Sequence, residues 1–221
     1  MKIRLLITAL GAVGSFGLIG PTQATHFVGW YADVELGPSW IQPESVLTDT
    51  QFGGSGASAT FNPGWAALGT VGVHGASFLG ELELGFRANQ LNQFNHQGTL
   101  YPLGGHFNEL SFMFNLLYDP QCGLVIDCFF GLGVGGDYIW YANNSGFHPP
   151  PTLQDTDAVL AGQAIAGLSY HFLPNVDLFV KYRFLKAYHP SFQEFVTPTT
   201  YHDDNYYVNE KNTLTVGFRF H

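Results

Sequence analysis

Charged residues are scarce in this sequence. Asp, Glu, Lys and Arg make up 11% of the 221 residues, less than half of the roughly 25% that is typical of soluble domains. Basic residues are the rarest, with 8 Lys and Arg against 17 Asp and Glu. Nucleic-acid binding requires a basic surface, so we expect no nucleic-acid partner.

Long apolar runs are also missing beyond residue 25. A transmembrane helix needs about 20 apolar residues, whereas the nearest run, Ala158–Leu173, is 16 residues long and contains polar side chains. The chain is nevertheless 16% aromatic, which argues against disorder. A membrane assignment must therefore rest on strands rather than on helices.

The first 24 residues have the three parts of a secretory signal peptide. Lys2 and Arg4 precede the uncharged run Leu5–Ile19, and Thr22–Ala24 forms a small-residue cleavage site. We expect a signal peptide over 1–24 and a single domain over 25–221. The alternative is a retained N-terminal anchor helix.

Apolar and polar residues alternate with period 2 in eight segments, which predicts eight half-buried strands. The segments are 27–36, 66–77, 79–89, 106–118, 128–141, 158–172, 176–186 and 212–220. Short connections at 75–80, 119–127 and 173–175 alternate with long ones at 37–65, 90–105, 142–157 and 187–211. This layout is typical of an all-β, eight-stranded antiparallel transmembrane up-and-down barrel with short periplasmic turns and long extracellular loops.

The strand charges lie on the face opposite the large apolar side chains. In a soluble sandwich that face would be in water, but in a membrane barrel it would line the lumen. Because an isolated charge in a lumen is costly, we predict a network that fills the barrel and fixes its register. Its members are Asp33, Glu35, Glu81 and Glu83 with Arg87, Lys181, Arg183 and Arg219; Glu109 and Asp137 share the same face.

Aromatic side chains near the strand ends could form the two belts found where acyl chains meet water, although a sandwich core would also bury aromatics. They are Trp30, Trp40, Trp65, Tyr118, Tyr138, Trp140, Tyr141, Tyr170 and Tyr188.

Several strand segments together resemble the OmpA-like outer-membrane β-barrel family. They are Gly29–Asp33, Glu81–Arg87, Ser111–Asn115, Phe130–Gly135, Ala166–Tyr170 and Leu178–Phe184. The resemblance implies a location in the Gram-negative outer membrane, with outer-membrane lipids and lipopolysaccharide as neighbours.

The C-terminal series Leu214, Val216, Phe218 and Phe220 resembles the signal that is read by the barrel-insertion machinery, which would then be a partner during biogenesis. The chain departs from that signal at its last residue, His221, where an aromatic such as Phe is usual.

Cysteine and histidine offer few candidate sites. Cys122 and Cys128 fall in or beside a short turn, where an oxidising compartment favours a disulfide; two free thiols are the alternative. The nine histidines are scattered without ligand spacing, so we expect neither a metal nor a cofactor.

Four functions remain open. The leading hypothesis is a non-enzymatic outer-membrane barrel that supports envelope integrity and makes surface contacts, including with a host or surface ligand, through its loops. The second is a narrow porin-like channel. The third is a lipid A-modifying enzyme, because His189 and Ser191, with Glu194 nearby, are similar to the His/Ser pair of lipid A deacylases. The fourth is a secreted soluble sandwich. The sequence does not define an oligomeric state.

Overall fold

The structure, a computed structural model, describes ten stretches of the chain. They are residues 29–42, 44–46, 57–75, 77–96, 99–120, 126–144, 152–188, 192–197, 200–204 and 210–221. Among these residues, no helix is long and apolar enough to cross a bilayer. The predicted signal peptide lies outside the described residues and remains a prediction.

The described stretches form eleven strands. They are β1 Gly29–Ile41, β2 Glu44–Val46, β3 Ala57–His74, β4 Phe78–His96, β5 Thr99–Tyr118, β6 Ile126–Asn144, β7 Thr152–Leu173, β8 Val176–Ala187, β9 Phe192–Thr197, β10 Thr200–Asp204 and β11 Glu210–Phe220.

Eight of these strands close into a barrel. The sheet order is β1-β11-β8-β7-β6-β5-β4-β3, and β1 also pairs with β3. Ala32 thus lies opposite Phe220 on one side and Val71 on the other. All of these pairings are antiparallel. The predicted eight-stranded antiparallel barrel is confirmed, since the pairing of β1 with β3 closes the sheet.

The barrel is apolar outside and charged inside. Leu84 and Phe114 are 53% and 57% exposed, whereas the inward residues Glu83 and Arg183 are 0% exposed. Because a soluble sandwich would bury the first pair and hydrate the second, the sandwich alternative is wrong. The apolar outer face matches the lipid-facing band of a membrane barrel.

The strands run further than the alternation predicts. β4 extends to His96 and β5 begins at Thr99, so only residues 97–98 separate them. The long connection predicted over 90–105 is therefore mostly a strand hairpin. Beyond the membrane both strand faces can be polar, so the backbone ladder continues after the hydrophobic signal has ended.

Small inner residues make room for large rings. A Cβ atom at Gly167 would lie 2.3 Å from the Phe129 ring, and one at Gly72 would lie 2.4 Å from the Tyr31 ring. Since real Cβ atoms do not approach so closely, these glycines let the rings lie against the barrel wall. The narrow lumen of an eight-stranded barrel is filled in this way.

Exposed aromatic residues occur near both ends of the strands. Trp30, Tyr118 and Tyr170 lie at the end that carries the short turns, and Trp40, Trp65, Tyr138 and Tyr188 lie towards the other. Ten residues of a tilted strand separate Trp30 from Trp40, which corresponds to about 25 Å, the height of an apolar band. Trp140 is half-buried, and the side chain of Tyr141 lies outside the described part of the chain.

Candidate functional site

The most unusual part of the molecule is its interior, where charged side chains from alternate strand positions meet. Seven of the eight predicted residues form one group, here called the central ion cluster. It consists of Asp33 and Glu35 on β1, Glu81 and Glu83 on β4, Lys181 and Arg183 on β8, and Arg219 on β11. Strand alternation points each of these side chains inward, where all are buried.

Lys181 contacts three carboxylates at once. Its Nζ lies 2.9 Å from Asp33, 3.2 Å from Glu81 and 3.3 Å from Glu35. The ammonium also lies 4.7 Å from the centre of the Phe179 ring, an attractive cation–π distance. Three donors and three acceptors match here, so the buried ammonium keeps a full set of hydrogen bonds.

The two arginines bind carboxylates in the bidentate manner that makes such pairs strong. Arg183 donates through Nη1 and Nη2 to the two oxygens of Glu35, and through Nε to Glu83 at 3.0 Å. Arg219 donates through Nε and Nη2 to the two oxygens of Asp33, each at 2.9 Å. Its guanidinium also lies 4.0 Å from the Tyr31 ring centre.

Neutral side chains complete the hydrogen bonding of the acids. The Tyr31 hydroxyl donates to Glu81 at 2.9 Å, and the Thr215 hydroxyl donates to Glu35 at 2.6 Å. The Gln163 amide donates to Glu83 at 3.2 Å. Since buried charges are tolerated only when they are paired and hydrogen-bonded, these neutral groups belong to the cluster as much as the ions do.

A second group lies further from the end that carries the short turns. Lys211 pairs with Asp137 at 2.6 Å and also with Glu109, and all three side chains are fully buried. We call this group the outer ion cluster. Sequence reasoning missed Lys211 because it assigned residues 187–211 to a loop, although Lys211 has the same parity as the inward residues Thr213 and Thr215.

Arg87 is inward and buried as predicted, but no carboxylate among the described residues lies within ion-pair distance of it. Its Nη1 donates to the Ser111 hydroxyl at 2.8 Å and its Nε to the Thr213 hydroxyl at 3.3 Å. Its remaining terminal nitrogen, Nη2, is buried without a hydrogen bond. The prediction that Arg87 contacts the acids of the network therefore differs from the structure, in which Arg87 binds two hydroxyl groups. Residues on the same inner face need not be close enough to form a pair.

Apolar layers cover both ends of the ion clusters. Tyr31, Leu79, Leu117 and Phe129 pack together at the end that carries the short turns. Ile41, Phe107 and Ile139 pack together on the extracellular side, with Phe61 and Val159 against them. The described interior is thus occupied along its length by buried side chains.

The other predicted sites are only partly described. Cys128 is half-buried on the outer face of β6, but Cys122 lies outside the described residues, so the disulfide remains a prediction. His189 and Ser191 also lie outside them. Leu214, Val216, Phe218 and Phe220 are exposed on the lipid-facing side of β11. No group of three or more His, Cys, Asp or Glu in the described stretches is arranged to hold a metal ion.

A closed barrel with an apolar exterior, aromatic residues at both ends and an interior of paired charges defines a small outer-membrane β-barrel protein. The profile of the Surface antigen family matches residues 104–220, just over half of the chain. The chain belongs to this family, and it is a protein of the Gram-negative outer membrane.

Solved structures of other outer-membrane proteins are similar to this chain in fold. The outer membrane protein OprG from Pseudomonas aeruginosa superposes with a TM-score of 0.62 at 12% identity, covering 89% of this chain and 98% of that one. Neisserial surface protein A gives a TM-score of 0.52 at 14% identity, covering 86% and 96%. The outer membrane protein AlkL gives 0.54 at 11% identity, covering 93% and 96%. A search of curated proteins finds no match.

Proposed function

We propose that the protein is a non-enzymatic outer-membrane barrel that is closed to ion flow, supports envelope integrity and presents its extracellular end for surface contacts. The observation that supports closure to ion flow is the central ion cluster. Three cations and four carboxylates lie side by side with 0% to 6% exposure of their side chains. Moving any of these ions apart exposes uncompensated charge in a low-dielectric interior, which is costly.

The length of the strands supports the proposed surface contacts. A strand crosses a bilayer in about 9–11 residues, whereas β4 has 19 residues and β5 has 20. About half of this hairpin therefore projects beyond the membrane. The hairpin of β9 and β10 belongs to the same extracellular side, since it lies between β8 and β11. Such projecting hairpins offer ordered backbone for contacts with a host or surface ligand.

Two further partners belong to this proposal. The apolar outer face with exposed Leu132, Val134 and Leu160 suits the acyl chains of outer-membrane lipids and lipopolysaccharide. The outward series from Leu214 to Phe220 suits the barrel-insertion machinery.

Conductance in planar bilayers tests the closed interior. Purified protein should give no stable current, whereas the Arg183→Ala variant, which leaves a gap in the central ion cluster, should give brief or leaky conductance if it folds. A large stable current from the wild type would support the narrow channel instead. Mass spectra of lipid A from cells with and without the protein test the enzyme alternative, and we expect identical spectra.

Shortening a hairpin tests the surface role. Replacing residues 94–101 by Asn-Gly, a favoured two-residue turn, removes the tip of the β4–β5 hairpin and keeps the Gln93–Pro102 pair. The variant should retain its heat-dependent electrophoretic mobility, which reports a folded barrel. Adhesion of whole cells to immobilised glycans and matrix proteins should fall. Equal adhesion by wild-type, shortened and deletion strains would contradict the surface role.

A further inference from the structure

Four side chains form a continuous hydrogen-bonded chain at the periplasmic mouth of the barrel. His171 Nδ1 lies 2.7 Å from Asp177 Oδ1, and His171 Nε2 lies 3.1 Å from Asp127 Oδ2. His221 Nε2 lies 2.8 Å from the other oxygen of Asp177. The chain therefore links β6, β7, β8 and the residue that follows β11, which are neighbours in the sheet.

The chemistry of His171 determines its charge in this arrangement. A neutral imidazole carries one N–H, whereas an imidazolium carries two. Both ring nitrogens of His171 face carboxylate oxygens, so only the imidazolium can donate to both. Loss of one proton would place a nitrogen lone pair against a carboxylate.

Solvent reaches this ring. The His171 side chain is 61% exposed, and it lies beyond Tyr170 of the periplasmic belt, three residues before the turn at Pro174 and Asn175. Its hydrogen bond to Asp177 raises the pKa of His171 above the ordinary 6.5. Histidine is the side chain whose charge changes most readily near neutral pH.

Other charged groups near this hydrogen-bonded chain bind different partners. Arg219 lies opposite Asp177 in the β8–β11 register, but its guanidinium binds Asp33 and Glu81. His74 faces Asp119 at 3.8 Å across the mouth. Asp127 and Asp177 are thus the acids that respond directly to the charge of His171.

We propose that Asp127, His171, Asp177 and His221 form a proton-dependent latch that holds the C-terminal end of the barrel in place. The latch is closed while His171 is an imidazolium and opens as its proton is lost. The contact requires a histidine at this position, because a phenylalanine at position 221 could not bond to Asp177. The backbone N–H of His221 donates to the Asn175 carbonyl at 3.1 Å, so the terminus is already positioned for the side-chain contact.

The direction of the pH effect follows from linkage. A histidine whose folded pKa is raised contributes stability that is complete below its unfolded pKa and is lost as pH rises through the folded pKa. At the acidic end, protonation of Asp177 weakens the carboxylate that His171 and His221 share. The latch is therefore strongest in mildly acidic to neutral conditions and weakens in alkali.

Unfolding rates of the full chain in detergent micelles test the latch at about pH 6 and about pH 9. The wild type should unfold about tenfold faster at the higher pH, since a charged hydrogen bond is lost. His171→Gln should unfold fast at both pH values. The control His106→Gln, at an exposed outward position on β5, should keep the wild-type pH dependence.

Two further measurements keep the test decisive if His171→Gln does not fold. His221→Phe removes the bond to Asp177 and keeps an aromatic ring, so it should fold, but it should show a smaller pH effect than the wild type. The nitrogen-15 spectrum of labelled His171 at about pH 6 should show both ring nitrogens protonated. A neutral ring at that pH, or equal pH dependence in wild type and His221→Phe, would overturn the proposal.

Discussion

Arg183 binds both carboxylate oxygens of Glu35, through Nη1 at 2.7 Å and Nη2 at 2.6 Å. The two residues belong to β8 and β1, which are not hydrogen-bonded to each other because β11 lies between them. The pair therefore spans the C-terminal strand from inside the barrel. A one-residue slip of any of these strands would point its charges into lipid, so the pair fixes their register.

Glu35→Gln should destabilise the barrel by about 3 kcal/mol, because the hydrogen bonds from Arg183 and Lys181 to this carboxylate lose their charge, although Arg183 keeps its bond to Glu83. Urea unfolding in lipid vesicles, followed by tryptophan fluorescence, measures the change. The double variant Glu35→Gln with Arg183→Met should be less stable than Glu35→Gln alone, since among the described residues Arg183 is the cation that contacts the buried Glu83. A loss below about 1 kcal/mol for the single variant would mean that the pair contributes no more than a surface ion pair.

Lys211→Met should cost a similar amount, about 3–5 kcal/mol, because Glu109 and Asp137 would remain buried without a cation. The matched control is Lys186→Met. Lys186 also contacts an acid, Glu210 at 3.0 Å, but its side chain is 49% exposed, so its loss should change stability by no more than about 1 kcal/mol. Equal effects of the two substitutions would contradict the prediction that the outer ion cluster stabilises the barrel more than an exposed ion pair does.

The strands and their faces could be predicted from alternation, because every spanning strand separates lipid from a polar lumen. Glu81 and Glu83 have inward parity in the sequence and lie inside in the structure. Partner choice could not be predicted in the same way. Arg87 shares the inner face with the acids, yet it reaches Ser111 and Thr213, because the distance between two inward residues depends on strand stagger and side-chain length.

The strand ends were also beyond sequence reasoning. Outside the membrane both faces of a strand meet water, so apolar and polar residues no longer alternate. The sequence of the β4–β5 hairpin therefore predicts a loop. Lys211 was missed for a related reason, because it stands at the first inward position of β11, one residue before the segment 212–220 in which the alternation is regular. Thr215 and Thr213 point inward, and extending this alternation by two residues would have identified Lys211 as inward too.

Gly167→Ala should destabilise the barrel by about 1–3 kcal/mol, the usual cost of overpacking. The new Cβ would lie 2.3 Å from the Phe129 ring and 2.8 Å from the Val180 carbonyl oxygen. Gly162→Ala, on the outer face of the same strand, is the control, because its Cβ would meet no atom closer than 3.8 Å. Urea unfolding should place the control within about 0.5 kcal/mol of the wild type. If both variants behave alike, the close packing of Phe129 against β7 is incorrect.

Leu84→Arg tests the membrane arrangement most directly. Leu84 is exposed in the middle of β4 and pairs with Phe112, whose ring is exposed on the same outer face. An arginine at the bilayer midplane of a barrel costs about 2–4 kcal/mol, and the cost falls to about 0–1 kcal/mol near the interface. Gln90→Arg is the control, since Gln90 is exposed on the same face of the same strand but about 15 Å nearer the extracellular end. Unfolding from lipid vesicles should therefore separate the two variants by at least about 1 kcal/mol, while in a soluble sheet both arginines would be hydrated and their costs equal.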